Sequence, residues 1–187
     1  MAGGLLSRWR TEWRQRRQAS AYATTLREEL AEDDVEWVVA QATQGDVDRA
    51  RWELRYAKMA LGMLAAERDA LDDRTPSLVA REVLAALHTD PRVAAHMVKV
   101  AEQQFNERLS AYRHAFNDRA ATSGVNDRLG DMFLRLADAP PPNADTRARA
   151  SALVARLLDE ANAALREHFG SAALPPDVQP SLLGVKR

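Results

Sequence analysis

At 187 residues, 46% of them hydrophobic and 28% charged, the chain has the make-up of one globular domain, able to bury about 70% of its unfolded surface without covalent staples. Its net charge of −1 supplies no overall attraction for nucleic acid or an anionic membrane, so any such interaction has to come from a local patch. The absence of cysteine excludes disulfides, thiol nucleophiles, iron–sulfur clusters and cysteine-based zinc sites.

Helical spacing recurs along the chain while period-two alternation does not, which predicts an all-α fold, a bundle of six or seven helices. The N-terminus has neither the apolar core of a signal peptide nor a glycine directly after Met1 for myristoylation, and no window approaches eighteen uninterrupted apolar residues. A cytoplasmic protein without a transmembrane segment is therefore expected. The first helix is predicted over about 5–31. Leu5, Trp9 and Trp13 sit four apart on one face, and Tyr22, Leu26 and Leu30 continue an apolar stripe. Glu32, Asp33 and Asp34 then open a short helix over 35–43, where carboxylates meet the partial positive charge of a helix start. Gly45 breaks the chain, and Asp46 suits the N-cap of the next helix.

That third helix, over about 46–72, is the most informative segment. Val47, Ala50, Leu54, Ala57, Leu61, Leu64 and Leu71 keep three–four spacing, interrupted by Arg68. A second series, Trp52, Tyr56, Met59, Met63, Ala66 and Ala70, has the same spacing about 200° away around the helix. A surface helix shows one apolar stripe. Two stripes predict a long central helix with neighbours on both sides. The second seam, Trp52, Tyr56, Met59 and Met63, is either core or an interface completed by another copy or another protein. An aromatic–methionine series at this spacing fills a core more readily than it lines a cofactor pocket.

Thr75 and Pro76 read as N-cap and first position of a further helix carrying Leu78, Val79, Val83 and Leu87. Asp90 and Pro91 repeat that signal for a long helix ending near Ala120, with Met97, Ala101, Phe105, Leu109, Tyr112 and Phe116 as its stripe. Asn126 is placed to cap a short helix bearing Leu129, Met132, Phe133 and Leu136. Residues 139–143 hold three prolines and form the clearest linker. The last helix, about 144–169, carries Ala150, Leu153, Leu157, Ala161 and Leu165 and stops at Gly170, a suitable C′ residue. This divides the chain into an N-terminal basic helix (1–33), a helical core (34–170) and an extended tail (171–187), whose Leu174, Val178, Leu182 and Leu183 could dock. No internal repeat has a convincing period.

Motifs for chemistry are missing. None of His88, His96, His114 and His168 has a partner at His-x-x-x-His or Glu-x-x-His spacing, so neither a helix-borne metal pair nor a di-iron bundle is expected. Neither glycine-rich phosphate loops nor a nucleophile elbow occurs. His114 and Asp118 stand four apart and can pair, which reads as an ordinary contact before an acid–base dyad. Glu28, Glu29, Glu32, Asp33, Asp34 and Glu36 form the densest acidic run, read as a solvated helix end because it lacks the spaced ligands and glycine of a calcium loop. No cofactor is expected.

The strongest binding signal is at the N-terminus. Arg8, Arg10, Arg14, Arg16 and Arg17 stand against a single Glu12, a local charge of +4 in the first twenty residues, and the remainder of the chain carries −5. Together with Leu5, Leu6, Trp9 and Trp13 this predicts a basic amphipathic helix suited to a partner protein, a membrane surface or single-stranded nucleic acid. The plain alternative is that both tryptophans pack onto the chain's own bundle while the arginines face water. The sequence thus favours a non-enzymatic helical interaction protein, a subunit or adaptor bound to another protein or to its own copy. A peripheral membrane or nucleic-acid binder is the next reading, and an enzyme or ligand binder with a pocket between helices the third.

Overall fold

The computed structural model describes residues 3–70 and 72–170, with side chains from residue 10 onward. The described residues form seven α-helices, one short 3-10 turn at Ala95–Met97, and no strand. In chain order the helices are α1 (Gly3–Thr25), α2 (Glu32–Gln41), α3 (Val47–Asp69), α4 (Arg74–His88), α5 (Val98–Asn117), α6 (Val125–Leu136) and α7 (Ala144–Phe169). The expected all-α bundle is what forms.

Helix α3 is the hub, as its two stripes predict. It touches α2, α4, α5, α6 and α7, and Tyr22 of α1 donates its hydroxyl proton to the Gly62 carbonyl at 2.9 Å. Leu54, Ala57, Leu61 and Leu64 on one side and Tyr56, Met59 and Met63 on the other are all buried in a single continuous core. Close approach at two crossings requires glycine. A Cβ on Gly62 would overlap the Leu26 side chain just past the end of α1, and a Cβ on Gly130 would stand 2.7 Å from the Ser151 backbone nitrogen of α7. The second half of α1 belongs to the core through Ala19, Tyr22, Ala23 and Leu26. Helices α1 and α4 run parallel: the pairs Glu12–Arg74, Arg16–Glu82 and Arg27–Asp90 advance along both in the same direction.

Several helix ends differ from the sequence expectation, each for a local reason. Helix α1 stops at Thr25 and not near residue 31. There the Thr24 and Thr25 hydroxyls bond back to the Ser20 and Ala21 carbonyls, and the chain turns through Arg27 and Glu28 amides bonded to Thr24 and Thr25. Asp46 does cap α3, accepting from the Arg49 amide at 2.9 Å. Helix α4 is capped by Asp72 and not by Thr75. The Asp72 carboxylate takes the Arg74 and Thr75 amides at 2.9 and 2.7 Å and the Thr75 hydroxyl as well, which leaves Thr75 buried. Asp90 and Pro91 do not start a long helix. Asp90 instead holds the Arg92 amide and guanidinium, the chain passes through the 3-10 turn, and α5 begins only at Val98. At its other end α5 closes at Asn117. Its last carbonyls are met by Arg128, whose Nε donates to the Ala115 carbonyl at 2.8 Å. Helix α6 starts after Gly124, so Asn126 lies inside the first turn and caps nothing. Asn143 caps α7 through the Thr146 amide, and Gly170 ends it with φ of +87°.

Candidate interaction surface

Helix α1 changes character along its length. Ala19, Tyr22, Ala23 and Leu26 define the side turned to the bundle. At about 100° per residue, Trp13 falls roughly 130° from the centre of that side and Arg10 and Arg17 roughly 170° from it. The structure agrees: Trp13 is 53% exposed, and Arg10, Arg14, Arg16 and Arg17 are exposed as well. The Arg17 guanidinium lies 5.0 Å from the Trp13 ring centroid, a geometry that fixes both groups against the helix surface. The described positions facing the bundle in this half, Glu12 and Gln15, are polar. Glu12 pairs with Arg74 of α4 at 3.2 Å, and Arg16, at the margin, reaches Glu82 at 3.3 Å. Among the described residues no carboxylate pairs with Arg10, Arg14 or Arg17. A shallow cleft of about 280 Å³ lies beside Trp13, bounded by Arg14, Arg17, Gln18 and His168. Gln18 closes its floor by donating to the His168 carbonyl at 2.8 Å. Leu5, Arg8 and Trp9 fall within α1, but their side chains lie outside the described residues, as do Leu174, Val178, Leu182 and Leu183 of the tail.

The second seam of α3 is placed differently. Tyr56, Met59 and Met63 are buried by the chain's own helices, Tyr56 stacking against Phe105 of α5 with ring centroids 6.2 Å apart and donating to Gln104 Oε1 at 3.3 Å. Only Trp52 reaches the surface, half-buried, with Arg55 5.5 Å above its ring. It floors a groove of about 260 Å³ between α3 and α5 whose lip carries Met97 and Val100, 43% and 41% exposed.

A wider, open trough of about 1000 Å³ runs between α5 and α6, past Lys99, Glu102, Asn106, Ser110 and His114. His114 is exposed there, while Asp118 bonds the Ala120 amide at 3.0 Å. Glu102, on the trough's lining, meets His88 of α4 outside it, 2.8 Å apart and exposed. The described residues hold no cluster of three metal-ligating side chains.

Buried charges are absorbed by structure. Glu53 of α3, 4% exposed, receives two guanidinium bonds from Arg108 of α5. That carboxylate holds Arg108 above its ordinary pKa against the opposing effect of burial. Burial, reinforced by the Glu53 charge, pushes the Tyr112 phenol well up, so it stays protonated. Asp34, in the acidic run, is buried and bridges to Arg156 and Arg149 of α7. Asp90 is the third such group. Burial raises its carboxyl, but side-chain and backbone hydrogen bonds from Arg92 and the charges of Arg92 and Arg27 outweigh it and bring it down to about 2. Sequence spacing could not reveal Glu53–Arg108, Asp34–Arg156 or Arg27–Asp90, since each joins segments distant in the chain, whereas Asp90–Arg92 is local.

No protein-family model, curated protein or solved structure matches the chain. Fold and surface therefore define it as an all-α bundle with one unusual external feature. That feature is a helix whose first half turns tryptophan and arginine to the outside. No helix among the described residues is long and apolar enough to cross a membrane.

Proposed function

We propose that this chain is a helical interaction protein, a docking subunit or adaptor, and that the outward side of α1 is its contact face. The observation that carries the reading is Trp13, a large ring more than half exposed beside Arg10, Arg14 and Arg17, which pair with no carboxylate among the described residues. Tryptophan and arginine are the residue types that dominate binding energy at interfaces. Here neither contributes to the bundle's own core. The second seam supports a partner less well, because Tyr56, Met59 and Met63 already have one within the chain.

The test is recovery of bound material from the native source with the full chain and with a Trp13→Ala, Arg14→Glu variant of unchanged melting temperature. Bound material, protein or lipid, held by the wild type and lost by the variant is the expected result. Identical bound material on both proteins would end the reading.

A further inference from the structure

Building on that reading of α1 as the contact element, we infer that the surface it meets is the headgroup region of an anionic phospholipid bilayer, with α1 lying in the membrane plane. Three features carry the choice of occupant. The first is the order of residues around the helix. Around the described part of α1, Trp13 falls roughly 130° from the centre of the bundle-facing side, and Arg17, Arg10 and Arg14 come directly after it on one flank. An exposed tryptophan bordered by cations suits a lipid interface: the ring sits at headgroup depth, and arginine reaches up to the phosphates.

The second is access. Helix α1 is backed along its polar side by α4 through Glu12–Arg74 and Arg16–Glu82, so it offers one convex side. A flat surface fits that shape, whereas a groove on a partner would need to enclose the helix. The third is charge. The first twenty residues carry +4 and the remainder −5, so an anionic surface attracts this end and repels the body, which orients the molecule on its α1 face. A second copy on the same face would set Arg10, Arg14 and Arg17 against their own kind. Stacking of nucleic-acid bases is disfavoured because the Arg17 guanidinium already covers one face of the Trp13 ring.

Cosedimentation of the full chain with vesicles tests this, using neutral phosphatidylcholine alone and phosphatidylcholine mixed with phosphatidylglycerol. The expected result is binding to the anionic vesicles at low ionic strength, reduced about tenfold by several hundred millimolar salt. Trp13→Glu and the double change Arg10→Glu, Arg14→Glu each lower it about tenfold or more at unchanged melting temperature, while Trp13→Phe retains it. Equal binding to neutral vesicles, equal binding by the charge-reversed variant, or no binding at low salt overturns the inference. So does a single-stranded oligonucleotide that binds where vesicles do not. If vesicles fail and the same variants still lose a protein partner, α1 stands as the contact element and only its occupant is wrong. If neither vesicle nor partner responds, both readings fall.

Discussion

The Glu53–Arg108 pair is the point at which the contact between α3 and α5 is most open to a quantitative test. Arg108→Ala leaves the Glu53 carboxylate, whose side chain is 5% exposed, without the two N–H groups that receive its charge. Breaking a buried ion pair from one side costs about 3–5 kcal/mol. Arg108 keeps 15% of its side chain in solvent, so water can reach the site and the lower end, about 3 kcal/mol, applies. The guanidinium also lies 5.1 Å from the Tyr56 ring centroid, a contact worth roughly 1 kcal/mol at a partly exposed site. For a chain of this size each kcal/mol moves the melting temperature by about 2–4 °C, so Arg108→Ala should melt roughly 6–15 °C below wild type by circular dichroism. The double change Glu53→Leu, Arg108→Met removes both charges and replaces their volume, and should recover most of that loss. A melting temperature for Arg108→Ala within about 2 °C of wild type would show that the pair is effectively solvated. A double variant no better than the single one would show that geometry, and not the stranded charge, sets the penalty.

Single contacts elsewhere carry further expectations. The Asp90 carboxyl is held at about 2 against an ordinary value of 3.8. Its ionised form therefore adds stability that is fully present above pH 4 or so and is lost as pH falls through about 2. Wild type should exceed Asp90→Asn by roughly 2 kcal/mol in chemical unfolding near neutral pH, with the gap closing over that acid window, and a pH-independent gap would contradict the assignment. Gly130→Ala drives a Cβ into backbone, and Gly62→Ala drives one into the movable end of Leu26. The first should destabilise by about 1–3 kcal/mol and by more than the second, measured as shifts in denaturant midpoint at constant slope. Tyr22→Phe removes a buried hydrogen bond to the Gly62 carbonyl and should cost about 1–2 kcal/mol. Trp13→Ala in the same helix should leave the melting temperature within about 1–2 °C of wild type, because its ring supports nothing in the core.

Elements that depend on local chemistry were legible in the chain, and those that depend on meetings between distant segments were not. The two-sided apolar pattern of α3 identified the hub, because three–four spacing on opposite sides has no stable meaning at a surface. Asp46 and Gly170 did what their local geometry implies. The cap at Asp72 was hidden because Thr75 and Pro76 are a stronger start signal in sequence, yet one carboxylate three residues before Thr75 can satisfy two amides and a hydroxyl together. The Asp90–Pro91 signal failed for a tertiary reason: Arg27 and Arg92 hold the Asp90 carboxylate, which removes it from the start of α5. At the N-terminus composition and charge singled out Arg10, Trp13, Arg14, Arg16 and Arg17, but which side of α1 the bundle covers could only come from coordinates.

That side of α1 carries the case for function. Had the helix evolved only to complete the bundle, the stripe of Leu26, Tyr22, Ala23 and Ala19 would extend toward the N-terminus through positions 15 and 12, which lie within about 40° of its centre. Those two positions hold Gln15 and Glu12, while the large ring of Trp13 stands on another side. The fold thus receives polar groups where it could use apolar ones, and water receives Trp13. Departures from local consistency of this kind concentrate where a sequence answers to something other than its own stability. The switch of face between Trp13 and Ala19 marks the boundary in α1 between residues that build the bundle and the exposed residues proposed as its contact face.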